Sequence, residues 1–123
     1  SLPKYGIINL HSSLLPKYRG LMPCFWVLRN NEIVTGVSVF FVDEGIDSGP
    51  ILVREKIYIK SMSHKDLIIK TKSEGMKAII KAIKMIKDKK IKFIENSEDL
   101  KTYYSFPKRD DVIKFLEGGN RFF

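Results

Sequence analysis

Apolar residues recur at strand spacing in some segments of this sequence and at helical spacing in others. Together these segments predict an α/β fold. A short apolar run at 6–11 carries two polar side chains, Asn9 and His11, and predicts a buried strand. Apolar residues on both faces of that strand favour a parallel sheet covered by helices. Alternation over 34–43 predicts the strongest strand. A further strand at 50–59 is expected to be antiparallel to it, because the seven residues 43–49 are too few for a helical crossover.

Helical spacing predicts a short helix at 22–30, a long one at 64–88 and a last one at 109–117. Ser63 is a good N-cap for the long helix, and Asp66 is placed to complete a capping box. We expect one apolar stripe of this helix to pack on the sheet, formed by Leu67, Met76, Ile79, Ile80, Ile83 and Ile86. Of the remaining segments, 1–5 are predicted to form a turn, 91–94 a small strand and 103–107 an extended segment.

Size and charge narrow the function classes without choosing one. The 123 residues suffice for one domain, and no apolar run is long enough for a membrane span of about 18 residues. A single cysteine excludes an internal disulfide and predicts a cytoplasmic protein. The net charge is +8, and twelve lysines lie from Lys56 to Lys92 inclusive. A solvated helix face explains this run better than a polyanionic partner such as tRNA or a nucleotide, since few aromatics are interleaved.

Three polar residues in apolar surroundings are candidates for chemistry. Asn9 and His11 point to one face of a strand end, and Asp47 lies in a glycine-flanked loop after the strongest strand. A carboxylate can orient an imidazole, and an amide N–H can bind an oxyanion. Taken singly, each is more often structural, so spacing alone leaves both interpretations open. His64 is interpreted as exposed and structural, Cys24 as a core residue, and no metal site is predicted.

Four motifs together resemble a known family. They are Asn9-x-His11-x-Ser13-Leu14-Leu15-Pro16, Tyr18-Arg19-Gly20, Thr35-Gly36-Val37 and Asp43-Glu44-Gly45-Ile46-Asp47-Ser48-Gly49. The combination closely resembles the catalytic half of the formyltransferases that use 10-formyltetrahydrofolate. That family includes methionyl-tRNA, glycinamide ribonucleotide and amino-sugar N-formyltransferases. The resemblance covers roughly residues 5–88.

The resemblance implies roles for individual residues. It makes Asn9, His11 and Asp47 the catalytic set. It places the folate against the loop that begins with Val42, Asp43, Glu44 and Gly45. It gives a supporting role to Ser13, Leu15, Pro16 and Arg19, with a cis bond before the proline allowed. The donor is 10-formyltetrahydrofolate, the acceptor is an amine, and no metal takes part.

The same resemblance implies the architecture, which is a partial, Rossmann-like three-layer α/β fold with a mixed sheet and a long C-terminal helix. Residues 1–94 would be the C-terminal half of the catalytic domain, and 95–123 a tail with a short helix. The family's N-terminal half precedes the Asn-x-His strand and has no counterpart here. We therefore expect a fragment or truncated product that is inactive alone.

Several functions remain open at this point. The first is transfer of a formyl group to an amine, of methionyl-tRNA formyltransferase-like type. The Tyr18-Arg19-Gly20 form equally suits transfer to a nucleotide-linked amino sugar. Hydrolysis of the formyl folate could use the same residues. A nucleic-acid-binding module and a purely structural, non-catalytic fragment are alternatives of other classes, and a homo-oligomer is compatible with all of them.

Overall fold

A computed structural model describes residues 6–123 as α/β, which confirms the predicted class. In chain order the elements are β1 (Ile8–His11), β2 (Arg19–Gly20), α1 (Pro23–Arg29), β3 (Val34–Phe41), β4 (Ile51–Tyr58), α2 (His64–Lys87), β5 (Tyr103–Tyr104) and α3 (Arg109–Glu117). The three longer strands form a sheet in the order β1-β3-β4, and β2 pairs with β5 in a second, two-stranded sheet. The turn predicted at 1–5 lies outside the described residues.

Strand directions correct one prediction and confirm another. β1 is antiparallel to β3, with His11 opposite Ser38, so the expected parallel pairing of this strand is wrong. Its two apolar residues, Ile8 and Leu10, share one face and pack against the main core on the side of α2, whereas Asn9 on the other face is exposed. β3 and β4 are antiparallel, as predicted. The parallel pair is β2 with β5, which joins residues 19–20 to residues 103–104.

A β-bulge divides the apolar residues of β4 between two cores. Val39 is opposite Val53 and Phe40 is opposite Ile51, so Leu52 is the extra residue. Ile51 joins a small cluster with Leu15 and Phe40, whereas Val53 belongs to the main core. The strand predicted at 91–94 is wrong, because only Ile94 pairs, in an isolated bridge with Ile51.

The long helix packs by a different stripe from the one predicted. Its buried residues are small or near its start: Leu67, Thr71, Gly75, Ala78 and Ala82. Ile79 and Ile86 pack against the core, but Met76, Ile80 and Ile83 are 59%, 64% and 52% exposed. The stripe is small because α2 lies close to the sheet: a Cβ on Gly75 would be 2.4 Å from Leu10 Cδ2.

The N-terminus of α2 confirms the predicted capping box. The Ser63 hydroxyl accepts a hydrogen bond from the Asp66 backbone N–H at 3.0 Å, and the Asp66 carboxylate accepts from the Ser63 N–H at 3.1 Å. These two bonds hold the pKa of Asp66 below its usual value. Within residues 6–123, no helix is long and apolar enough to cross a membrane.

The C-terminal segment packs against the rest of the molecule. Phe115 of α3 is fully buried and stacks on Phe25 of α1, with ring centroids 5.0 Å apart. Tyr104 stacks on Trp26 at 4.6 Å and on Tyr18 at 5.2 Å. The aromatic contacts tie β5 and α3 to α1, and the proposed domain boundary at 94/95 stays a prediction.

Candidate functional site

The candidate site lies where the end of β1 meets the loop between β3 and β4. His11 is the last residue of β1 and is 8% exposed. Asp47, in the loop, places its Oδ2 atom 3.6 Å from His11 Nδ1. The structure therefore brings together two of the three predicted catalytic residues, although they are 36 positions apart in the sequence.

The third predicted residue, Asn9, lies two positions before His11 on β1. Alternation along the strand puts the two side chains on one face. Asn9 is exposed, and its Oδ1 accepts a hydrogen bond from the Leu10 N–H at 2.9 Å. An exposed amide beside a buried imidazole is accessible to a ligand that approaches this face.

The orientation of the His11 ring follows from its contact with Tyr18. His11 Nε2 lies 2.6 Å from the Tyr18 carbonyl oxygen, which can only accept a hydrogen bond. Nε2 therefore carries a hydrogen, and Nδ1 is the nitrogen that faces Asp47. A carboxylate oxygen at 3.6 Å attracts positive charge on the ring.

Tyr18 is itself held at both ends. Its backbone N–H donates to Thr102 Oγ1 at 2.8 Å, and its hydroxyl accepts from Asn30 Nδ2 at 3.1 Å. Burial raises the pKa of Tyr18 to about 12, so the hydroxyl stays protonated at neutral pH. The carbonyl that orients His11 thus belongs to a residue anchored by segments far apart in the chain.

The residues 13–16 form a turn fixed by the sheet beneath it. The Ser38 hydroxyl donates to the Ser13 carbonyl at 2.7 Å and accepts from the Leu15 N–H at 3.0 Å. Arg54 donates to the Leu15 carbonyl at 2.7 Å, and the Leu15–Pro16 bond is cis. Ser13 and Leu15 are fully buried. This turn connects the end of β1 to Tyr18, and its proposed supporting role stays a prediction.

The predicted folate-contacting residues begin the loop after β3, and all four are exposed: Val42, Asp43, Glu44 and Gly45. The Asp43 carboxylate accepts hydrogen bonds from the Ser48 hydroxyl at 2.6 Å and the Gly45 N–H at 2.9 Å. These bonds, the one from Ser48 foremost, hold the pKa of Asp43 below its usual value. The loop is thus ordered internally and open to a ligand.

Arg19 is 3% exposed and points into the C-terminal segment. Its guanidinium donates to Glu98 Oε1 at 2.9 Å and to Asn96 Oδ1 at 2.8 Å. Sequence reasoning did not find Asn96 or Glu98. No local signal marks them, because the 96–100 stretch is typical of a loop and its partner is 77 positions earlier.

A metal centre has no support in the part of the chain that the structure describes, where no group of three or more His, Cys, Asp or Glu residues is placed to hold an ion. Cys24 is buried beside Thr71, and burial raises the pKa of its thiol.

The chain is similar in sequence and in fold to known formyltransferases. The Formyl transferase family model matches residues 1–83 of this chain. The methionyl-tRNA formyltransferase of Kosmotoga olearia is 38% identical over 124 residues, covering 99% of this chain and 40% of that protein. The enzyme of the same name from Thermodesulfovibrio yellowstonii is 46% identical over 91 residues, covering 64% and 30%.

Solved structures show the same fold. An N-formyltransferase from Helicobacter canadensis, in complex with folinic acid and dTDP-3-aminofucose, matches with a TM-score of 0.76 at 29% identity, covering 85% of this chain and 38% of that chain. A formyltransferase from Anoxybacillus kamchatkensis matches with a TM-score of 0.74 at 25% identity, covering 93% and 58%. The chain belongs to the formyl transferase family. It spans 30–40% of the length of the two curated relatives.

Proposed function

We propose that this chain is the catalytic segment of a 10-formyltetrahydrofolate-dependent N-formyltransferase, with Asn9, His11 and Asp47 as its catalytic residues. The observation that carries the proposal is the 3.6 Å approach of His11 Nδ1 to Asp47 Oδ2, with Asn9 on the same strand. Membership of the formyl transferase family supports it.

Each of the three groups has a role in the proposed reaction. The acceptor amine attacks the formyl carbon of the folate, and the carbonyl electrons move onto oxygen. Asn9 donates a hydrogen bond to that oxyanion, and so does the Nδ1–H of protonated His11, because its Nε2–H is already held by the Tyr18 carbonyl. Each bond is worth about 3 kcal/mol in the transition state. Asp47 stabilises the charge on His11 and takes the proton of the amine, directly or through water. Collapse of the intermediate breaks the bond from the formyl carbon to folate N10, and N10 gains the proton that Asp47 took from the amine.

Methionyl-tRNA is our first candidate for the acceptor. Curated relatives at 38% and 46% identity are methionyl-tRNA formyltransferases. A nucleotide-linked amino sugar is the second candidate, favoured by the 29% identical structure with bound dTDP-3-aminofucose. Both acceptors present an amine, so the proposed catalytic residues would serve either.

A chimera tests the proposal in a full-length setting. Residues 1–123 replace the matching stretch of the Kosmotoga olearia enzyme, and the product is assayed by mass spectrometry with 10-formyltetrahydrofolate and each acceptor. We expect a formylated amine. His11→Asn should lower kcat by at least about a hundredfold, because it removes the charged donor. His64→Asn is the matched control, since it changes the other histidine of the chain and should leave kcat unchanged.

Three outcomes contradict the proposal in different ways. Release of free formate instead of a formylated amine would show a hydrolase. A folded chimera that is inactive with both acceptors would remove the catalytic interpretation. tRNA binding that weakens steeply with salt and survives His11→Ala, in a chimera without turnover, would favour a nucleic-acid-binding module.

The isolated chain is expected to bind folate weakly and not to turn over. Titration with 5-formyltetrahydrofolate, followed by NMR, should shift the amide signals of residues 42–45. Turnover by the 123-residue chain alone would overturn the expectation that it is inactive. A cytoplasmic location and assembly into a homo-oligomer stay predictions.

A further inference from the structure

We propose that Asn96 is a positioning residue whose side-chain amide holds the loop around Asp47 so that the carboxylate faces His11. The relevance of this proposal to catalysis rests on the proposed function, whereas the contacts of Asn96 do not depend on it. Asn96 lies outside the stretch that matches the family model, and it does not contact His11. It acts through Asp47.

The chain brings Asn96 to the loop by a short anchored path. Ile94, two residues earlier, exchanges backbone hydrogen bonds with Ile51 at the start of β4, with distances of 2.8 and 3.2 Å. The loop that contains Asp47 ends at that same point. The isolated bridge therefore places residue 96 beside the loop.

The Asn96 amide uses both of its hydrogens on the loop. Nδ2 donates to the Asp47 carbonyl and to the Gly49 carbonyl, each at 2.8 Å. Two carbonyls separated by one residue are thus turned toward a single donor. Gly49 is tightly placed as well, since a Cβ there would be 1.6 Å from the Phe41 carbonyl oxygen.

Arg19 fixes which way the Asn96 amide points. A guanidinium only donates, and Arg19 Nη2 lies 2.8 Å from Asn96 Oδ1. The amide oxygen must therefore face Arg19, which leaves the NH₂ group to face the two carbonyls. Arg19 is in turn held by Glu98 at 2.9 Å.

Asp47 itself has an uncommon backbone conformation. Its φ of 52° is in the left-handed region, which residues other than glycine adopt less often, although aspartate is among those that tolerate it best. Its carboxylate Oδ2 accepts a hydrogen bond from the Gly20 N–H at 2.8 Å. The adjacent residues Arg19 and Gly20 thus fix Asp47 from two sides, one through Asn96 and one directly.

The test is amide hydrogen exchange in the 123-residue chain, measured by NMR at two neighbouring positions. The Gly20 N–H donates to Asp47, whereas the Leu21 N–H donates to the Tyr104 carbonyl at 2.9 Å. Asn96→Asp keeps the shape of the side chain and removes both donors. We expect the exchange rate of Gly20 to rise about tenfold relative to that of Leu21, because a charge-assisted hydrogen bond is lost.

Asn120→Asp is the matched control. Asn120 is also partly buried, and its Nδ2 donates to two carbonyls, those of Leu28 and Phe115, at 3.0 and 3.1 Å. Its substitution should leave the ratio of Gly20 to Leu21 exchange unchanged. A role for Asn96 in packing alone predicts no effect of the isosteric Asp.

An unchanged ratio in folded Asn96→Asp would overturn the proposal. If that variant unfolds, Asn96→Ser, which keeps one donor, replaces it, and an intermediate rise is expected. Loss of the folded state in both variants would also overturn it, because Asn96 would then support the fold rather than the loop. An inactive chimera refutes the proposed function, whereas an unchanged exchange ratio refutes this proposal, so the two failures are distinct.

Discussion

His64 differs from His11 in lacking a carboxylate partner, and it is not the exposed residue that its position at a helix start suggested. It is half-buried against three aromatic rings, those of Phe25, Phe115 and Phe122, with centroids 5.7 to 6.4 Å away. Burial lowers its pKa below the ordinary value of 6.5. The rings belong to α1 and to the C-terminal segment, so no pattern near residue 64 reveals them.

The lowered pKa of His64 predicts acid sensitivity. Near pH 6 the unfolded chain binds more protons at this residue than the folded chain does, so stability is full above about pH 6.5 and falls as the pH drops below it. The urea unfolding free energy of the wild type should therefore decrease from about pH 7.5 to about pH 5.5. His64→Leu should lessen that decrease, and an equal decrease in both proteins would contradict the assignment.

For single residues, the sequence was enough to predict the candidate catalytic residues but not the residues that hold them in position. His11 lies at a strand end and Asp47 in a glycine-flanked loop, and they are recognisable because the motifs around them together resemble a known family. Asn96 and Thr102 contact residues 18–19 and 47–49 across 47 to 84 positions. Such contacts depend on the path of the whole chain, which local spacing does not encode.

Helix α2 shows why an apolar pattern identifies an element better than its buried face. The period of 3.6 correctly predicted the helix, and the capping box correctly located its start. The inward face was misassigned because close approach to the sheet requires small side chains, such as those of Ala78 and Ala82, in place of isoleucines. A stripe of glycine and alanine scores low in an apolar pattern, although it permits the closest packing.

Gly75 makes this close approach testable. Alanine is favoured over glycine in a helix by about 1 kcal/mol, but its Cβ would meet Leu10 of β1, and overpacking costs about 1–3 kcal/mol. We expect Gly75→Ala to lower the free energy of unfolding by about 1 kcal/mol. In a Leu10→Val background the same change should be neutral or stabilising, which a double-mutant cycle by urea unfolding measures. Equal stabilisation in both backgrounds would show that Leu10 moves away freely.

The molecule as a whole presents an apolar surface next to its lysines. The outer face of α2 exposes Met76, Ile80 and Ile83. At the end of the helix, a cavity of about 710 Å³ is lined by Phe41, Ile83, Ile86, Lys87, Lys89 and Ile91. The lysine-rich face of the long helix was expected to be solvated, but part of it is apolar.

Substitution of two neighbouring isoleucines tests which face of α2 is buried. Ile80→Gln should change the unfolding free energy by less than about 0.5 kcal/mol, because the side chain is already exposed, and should reduce the binding of the fluorescent dye ANS. Ile79→Gln, one residue earlier and packed against the core, should destabilise by more than about 1 kcal/mol. Equal effects of the two substitutions would contradict the orientation of α2.

The pairing of β2 with β5 has a consequence for synthesis on the ribosome. Arg19 is opposite Tyr103, and at roughly 5–20 residues per second the second strand is translated roughly 4 to 17 seconds after the first. During that interval the backbone N–H groups of residues 18, 19 and 21 have none of the partners they acquire at residues 102–104. The nascent chain therefore finishes its candidate site only after residues 102–104 have left the ribosome.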